Sequence, residues 1–454
     1  MKKTIKILST QRILILMVFI WSVVHIRAYS QNGGGEAYPD LSTNWESLEL
    51  FSELKFGMFI HWGPVSLRGT EIGWSRGRDV PIAEYDNLYT EFNPVLFDAD
   101  SWVKTAKDAG MKYIIFTSKH HDGFSMWPSD YTDYDIGSSP FGRDVLQELA
   151  DACKKYDIEL GFYHSIADWH HPHYTTRYGG DTRPVEDSNM DIYLKYLKNQ
   201  VRELVERYDP FLIWFDGEWE AAWTHEMGMD MYAYLRGIKD DLLINNRVDK
   251  GRKGMDGTTK GKQFAGDYAT PEQRIGGYDF DNPWETCMTI CQQWAWKPND
   301  KMKSLEESLE TLIRTVGGGG NLLYNVGPML DGRFEQRQMD MLAKMGRWIE
   351  EHKEAIYGTR GGPYLPADDF VSTRTGQSIY LHILNGELKE LRLPIPSGVK
   401  VKNVSSLRSG NKLEYKIQDD YIHMTLGAGD NLPRVIHMDT DSRVDELDPI
   451  DGSK

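Results

Sequence analysis

Between Phe51 and Ile356 two hydrophobic periods alternate along the chain. Short apolar runs of strand length recur at Gly57-Met58-Phe59-Ile60, Tyr113-Ile114-Ile115-Phe116, Leu160-Gly161-Phe162-Tyr163, Phe211-Leu212-Ile213-Trp214-Phe215, Leu242-Leu243-Ile244 and Asn321-Leu322-Leu323-Tyr324-Asn325-Val326. These runs lack polar alternation, so they predict strands covered on both faces. Between them lie stripes at helical spacing: Trp102, Val103 and Ala106; Val145, Leu149, Ala152 and Cys153; Leu194, Leu197, Val201, Leu204 and Val205; Leu305, Leu309, Leu312 and Val316; Leu342, Met345, Trp348 and Ile349. Strand–helix alternation over this length predicts an α/β fold with a parallel sheet, best fitted by a (β/α)8-like barrel. The alternative is an open doubly wound sheet, but no Gly-rich phosphate fingerprint opens the first unit.

From about Gly358 the period changes to two. Ile379, Leu381 and Ile383 share one face, and Leu391, Leu393 and Ile395, then Ile422, Met424 and Leu426, repeat the pattern. Gly, Pro and Asn punctuate these runs, which predict a C-terminal antiparallel β-sandwich. The expected division is a catalytic barrel over 38–357, a sandwich over 358–442 and a polar, frayed tail over 443–454. Residues 1–30 read instead as a secretory signal peptide: Lys2, Lys3, Lys6 and Arg12 precede an apolar run from Ile13 to Ile26 and a small-x-small site at Ala28-Tyr29-Ser30. The run is shorter than the roughly 20 residues a membrane span needs, so the expectation is export to the periplasm or outside the cell, with no integral segment after cleavage.

The 454 residues carry 68 acidic and 52 basic side chains, a formal charge of −16, with no long Lys/Arg block. A polyanionic duplex would be repelled, which argues against nucleic acid as a partner. The three cysteines, Cys153, Cys287 and Cys291, make no complete disulfide framework and no zinc spacing. Aromatic residues are abundant, with 14 Trp, 24 Tyr and 16 Phe. That suits stacking on sugar rings, although any one of these residues is more often core.

A parallel barrel gathers its chemistry where the strands end. Here the first run ends in His61 and Trp62, and the second in Lys119, His120, His121 and Asp122. The third ends in Tyr163 and His164, the fourth in Asp216 and Gly217, and the fifth in Asn245, Asn246 and Arg247. Five successive strands ending in polar or titratable groups predict a shared pocket, because folding alone does not require it. Asp216 is the sharpest signal: an apolar strand delivers one carboxylate, Trp214 stands two residues back, and Arg247 ends the next strand. An aromatic wall and a cation would hold such a carboxylate ionised, as a nucleophile needs; the plainer alternative is a helix-capping Asp. The histidines His61, His120, His121 and His164 admit a zinc site as well as a sugar-binding one.

Several ordered motifs carry a family resemblance. Phe56-Gly57-Met58-Phe59-Ile60-His61-Trp62-Gly63-Pro64, Lys119-His120-His121-Asp122-Gly123-Phe124, Phe162-Tyr163-His164-Ser165, Trp214-Phe215-Asp216-Gly217 and the run from Gly319 to Pro328 occur in that order. Together, over about Trp45 to Tyr357, the chain resembles the family 29 glycoside hydrolases, the retaining α-L-fucosidases. The resemblance implies an exo-acting enzyme that hydrolyses terminal α-L-fucosyl residues of glycans through a covalent intermediate, without metal or other cofactor. It implies Asp216 as nucleophile and His61, Glu71, His120, His121, Tyr163, Trp214 and Arg247 as pocket residues; the strand ends add Trp62 and His164, and Trp74 is a further aromatic candidate for the pocket. The acid/base varies in position across the family. Glu272 is the first choice here, because its segment follows Arg247 above the expected site. Glu285 is second, because it opens the next strand and so falls toward the opposite end. The glycine- and lysine-rich stretch 250–262 reads as a candidate lid. Two alternatives stand: a catalytically silent carbohydrate-binding protein on the same scaffold, and a hydrolase for a related sugar such as an α-L-galactoside. Oligomeric state is not encoded in any of these patterns.

Overall fold

The computed structural model describes residues 33, 41–279, 282–427, 429 and 432–452; the signal-peptide expectation lies outside them. The apolar runs form seven strands, β1 (Phe56–Ile60), β2 (Tyr113–Lys119), β3 (Glu159–Ser165), β4 (Leu212–Asp216), β5 (Leu243–Ile244), β6 (Glu285–Thr289) and β7 (Asn321–Val326). They make one parallel sheet in the order β5-β4-β3-β2-β1-β7-β6.

The two edges of this curled sheet are joined by an irregular eighth segment, 267–273. Asp267 N–H donates to Ile244 O, and Tyr268 O accepts from Asn246 N–H. On the other side Ala269 N–H donates to Pro283 O, while Ala269 O and Pro271 O accept from the N–H groups of Glu285 and Cys287. The result is a closed (β/α)8-like barrel whose eighth position is an irregular strand. It carries no apolar run, so the hydrophobic pattern did not reveal it.

Helices Ala99–Asp108, Val145–Tyr156, Met190–Tyr208, His225–Ile238, Leu305–Gly317 and Gln336–His352 cover the outside. The first five begin on Asp98, Asp144, Asn189, Thr224 and Ser304, each accepting a backbone N–H that the first helical turn leaves unpaired. Strand side chains alternate between two cores. Met58, Ile60, Ile114, Phe116, Phe162, Ile213 and Phe215 face the helices. Phe59, Tyr113, Ile115, Tyr163, Trp214, Cys287 and Leu323 fill the barrel, and Leu48 and Phe51 of helix Trp45–Leu54 pack onto them.

The remaining strands are β8 (Arg360–Gly361), β9 (Phe370–Thr375), β10 (Ser378–Ile383), β11 (Glu390–Pro394), β12 (Val401–Ser406), β13 (Tyr415–Gln418), β14 (Tyr421–Thr425) and β15 (Arg434–Thr440). They form two antiparallel sheets, β12-β15-β10-β9-β8 and β11-β14-β13. Ile379, Leu381, Val404 and Met438 of one sheet meet Leu393, Ile422 and Met424 of the other, which is a sandwich.

The expected frayed tail is corrected up to residue 452. Val444 is fully buried, Arg374 Nη1 donates to the carbonyls of Val444 and Leu447, and Ile450 exchanges backbone hydrogen bonds with residues 363 and 365. Three apolar residues spaced through a polar stretch suffice to dock it on the sandwich.

Candidate active site

The period-two alternation of the strands decides which strand-end residues meet. In β4 Leu212, Trp214 and Asp216 point inward, so Asp216 is the uppermost inward group of that strand. Gly217 then turns the chain at φ +101°, and a Cβ there would lie 2.8 Å from the backbone nitrogen of Ala167, so only glycine fits. Asp216 is buried between two donors and an imidazole. Arg247 Nη1 donates to Oδ1 at 2.6 Å, Tyr163 donates to Oδ2 at 3.0 Å, and His121 Nε2 lies 3.6 Å from Oδ2. Burial pushes the carboxyl upward, but the charges of Arg247, above all, and Arg252 hold Asp216 below its ordinary range.

The same guanidinium carries a second carboxylate. Arg247 Nη2 donates to Glu272 Oε2 at 2.9 Å and Nε to Thr270 Oγ1 at 2.9 Å, while the plane lies over the Trp214 ring at 4.3 Å. Asp216 and Glu272 therefore sit on adjacent nitrogens of one buried arginine. Glu272 keeps 19% of its side chain exposed at the mouth.

Glu285 lies lower, in the barrel interior. It is fully buried, accepts from Tyr113 Oη at 2.6 Å and from Trp214 Nε1 at 2.9 Å, and burial raises its carboxyl to about 7.

The pocket wall is imidazole and indole. His61 Nδ1 lies 2.6 Å from Asn325 Oδ1, and burial drives its pKa down to about 3. His120 stacks on Tyr163 at 5.2 Å, its Nδ1 has no hydrogen-bond partner, and Gly73 leaves it room, since a Cβ there would reach that nitrogen at 2.7 Å. His121 Nδ1 is 2.6 Å from Ser165 Oγ. Burial lowers the pKa of His120 and His121 too, so all three rings are neutral at pH 7, and with Nδ1 engaged on Asn325 and Ser165 the rings of His61 and His121 keep Nε2 alone for a ligand. Trp74 stands at the rim against His121 and, 6.4 Å away, nearly parallel to the exposed Trp219. Glu71 accepts the backbone N–H groups of Trp294 and Ala295, and so ties the loop bearing Trp294 against His61.

Two expected pocket residues are elsewhere. Trp62 follows the inward His61 and so faces outward, packed on Phe92, Phe97 and Trp102 with its Nε1 on Met329 O. His164 follows the inward Tyr163 and lies behind the sheet, with Nδ1 3.0 Å from Ser118 Oγ and the ring against Trp127. Alternation, not composition, is the reason in both cases. Among the described residues no group of three or more His, Cys, Asp or Glu is arranged to hold a metal.

Four residues at the site lie outside the set expected to line it. Asn325, next to last in β7, was recoverable by the same rule. Thr270 belongs to the irregular eighth position. Arg252 and Glu218 form a buried pair, Nε to Oε1 at 2.6 Å, beside Glu272. The segment carrying Arg252, read as a lid, is tied down through Lys250 Nζ to the carbonyls of Glu218 and Glu220.

A family model described as Alpha-L-fucosidase matches residues 36–354. The tissue alpha-L-fucosidase of Bos taurus is 31% identical over 360 residues, covering 71% of this chain and 72% of its own length. The chain belongs to the alpha-L-fucosidase family, glycoside hydrolase family 29. Solved fucosidases share its architecture. Alpha-L-fucosidase isoenzyme 1 from Paenibacillus thiaminolyticus superposes with a TM-score of 0.78 at 30% identity, over 87% of this chain and 99% of that one. A family 29 alpha-L-fucosidase from Bacteroides thetaiotaomicron superposes with a TM-score of 0.80 at 26% identity, over 91% and 99%. That structure is a trapped covalent intermediate made with 2-fluoro-fucosyl fluoride in a glutamate-to-glutamine mutant. The stretch matched by the fucosidase family model contains Asp216, Arg247, Glu272 and the three imidazoles.

Proposed function

We propose that the protein is an exo-acting retaining α-L-fucosidase in which Asp216 is the nucleophile and Glu272 the acid/base. The observation that supports this most is the single buried guanidinium of Arg247, bonded to Asp216 on one nitrogen and Glu272 on the other. Retention by double displacement needs two carboxyls about 5–5.5 Å apart, and sharing one guanidinium holds these two as near neighbours.

In the first half-reaction Asp216 attacks the anomeric carbon while Glu272, in its acid form, gives its proton to the leaving oxygen. The products are a β-linked fucosyl-enzyme and the free aglycone. Glu272, now a carboxylate, takes a proton from water as the water's oxygen attacks the same carbon, which releases fucose and restores both groups. Tyr163 and Arg247 keep Asp216 ionised and aimed. The neutral rings of His61 and His121, with Nδ1 donating to Asn325 and Ser165, turn Nε2 as an acceptor to sugar hydroxyls, which a cationic ring would not do.

Glu285 serves this reading as a support rather than a reactant, since both its oxygens are already engaged by Tyr113 and Trp214 deep in the barrel. The sandwich buttresses the barrel: Trp348 Nε1 donates to Pro433 O, and Arg314 donates to the carbonyls of Ala367 and Asp368. The partner is a fucosylated glycan. The basic and apolar character of residues 1–30 supports export, and a mature N-terminus near Gln31 in exported protein is the check. Hydrolysis of 4-nitrophenyl α-L-fucoside by the wild type, lost in Asp216→Ala, tests the activity itself.

A further inference from the structure

We infer that Arg252 is a positioning residue that fixes the pose of Glu272 for proton transfer, with Glu218 as its anchor. The inference rests on the reading of Glu272 as the acid/base. Arg252 is nearly buried and lies on a loop that leaves β5 and returns to the eighth barrel segment. On one side the loop grips the turn after the nucleophile: Arg252 Nε donates to Glu218 Oε1 at 2.6 Å, and Lys250 Nζ donates to the carbonyls of Glu218 and Glu220 at 2.6 and 2.9 Å. On the other it grips the segment bearing Glu272: Met255 O accepts from Glu272 N–H, and Gly257 O accepts from Thr270 N–H and Asn246 Nδ2. The loop thus spans the two carboxylates whose separation decides the chemistry.

Arg252 also acts on Glu272 directly. Its Nη1 lies 3.8 Å from Oε2, the oxygen that Arg247 Nη2 already holds at 2.9 Å. Both cations face one oxygen, so Oε1 is the one engaged by neither and is free to carry the transferred proton. A glutamate held by Arg247 alone would turn about that single contact. The second guanidinium, too distant for a hydrogen bond, biases Oε2 toward its side by charge, and it is itself held by a buried carboxylate rather than by solvent. Within the same cluster Arg252 helps to keep Asp216 ionised, but Arg247 and Tyr163 touch that carboxylate and Arg252 does not.

A misplaced acid costs most where the leaving group most needs a proton. The test is kcat/KM for Arg252→Met, Arg252→Lys and Glu218→Gln across aryl α-L-fucosides from 2,4-dinitrophenyl to unsubstituted phenyl. For Arg252→Met the expected loss is ~10–100-fold on the phenyl fucoside and within ~3-fold on the dinitrophenyl one, as displacement of a catalytic group by about 1 Å would give. Arg252→Lys should restore part of the loss, and Glu218→Gln should reproduce part of it. Equal losses across the series, or none, overturn the inference. Should Arg252→Met fail to fold by circular dichroism, the lysine and Glu218 variants decide. Glu272→Ala in the same series separates the two readings. If it steepens the dependence while the Arg252 and Glu218 variants do not, only the positioning role falls; if it is itself flat, the acid/base assignment falls and the inference with it.

Discussion

Replacing Glu285 with glutamine should make stability less dependent on pH while leaving the enzyme active. The carboxyl is fully buried, and burial outweighs the hydrogen bonds from Tyr113 and Trp214 and the charge of Arg247, raising its pKa from 4.5 to about 7. The folded state therefore keeps a proton that the unfolded chain releases between those values. In that window the unfolded state binds fewer protons, so the contribution is full below pH 4.5, declines as pH rises, and is lost above about 7. A difference of ~2.5 pH units at ~1.4 kcal/mol each amounts to about 3 kcal/mol. Glutamine keeps the shape and can accept from Trp214 Nε1 while donating to Tyr113 Oη, and it does not titrate. The midpoint of the variant minus that of wild type should then rise by roughly 3 °C between pH 4.5 and 8, taking ~2.1 cal/mol/K of unfolding entropy per residue over a chain of this size. Paired thermal scans in matched buffers measure it. A difference that stays flat across this range would refute the buried, protonated carboxyl. The same variant separates the two acid/base candidates: a support below the pocket should cost less than ~10-fold in kcat/KM, whereas loss of the acid costs ~100-fold or more on poor leaving groups.

Other perturbations give distinct signatures. Arg247→Lys removes a fork that serves two carboxylates at once, so kcat/KM should fall by ~100-fold or more. Because Arg247 is the largest influence holding Asp216 below its ordinary range, the acid limb of the pH–rate profile should also move to higher pH; an unmoved limb would show that Arg247 does not control the nucleophile. Trp62→Ala should lower stability by about 3–5 kcal/mol, as for other buried aromatics, while kcat/KM per folded molecule stays within ~3-fold; a large rise in KM would return Trp62 to the pocket.

Much of this was legible in the sequence because strands covered on both faces announce themselves as unbroken apolar runs. The residues closing those runs then point to the pocket, as Asp216 and Arg247 do. The failures have separate causes. Reading strand ends in pairs ignores alternation, so Trp62 and His164 were grouped with His61 and Tyr163 although they face the helices. The eighth barrel position left no apolar signal because 267–273 is irregular and bonds both sheet edges through isolated bridges. Arg252 was invisible for another reason: its pairing with Glu218, across 34 positions, arises only when the loop folds back over the strand ends. Asn325 was within reach, since β7 obeys the same rule as the five strands that were read.

The central claim is that Asp216 and Glu272 divide the two carboxylate roles. Azide rescue of Asp216→Ala, Glu272→Ala and Glu285→Ala with 4-nitrophenyl α-L-fucoside tests it most directly. The account predicts β-fucosyl azide from Asp216→Ala, because azide enters opposite the leaving group where the nucleophile is missing. It predicts α-fucosyl azide from Glu272→Ala, because azide intercepts the β-linked intermediate. α-Fucosyl azide from Glu285→Ala, with none from Glu272→Ala, would contradict it.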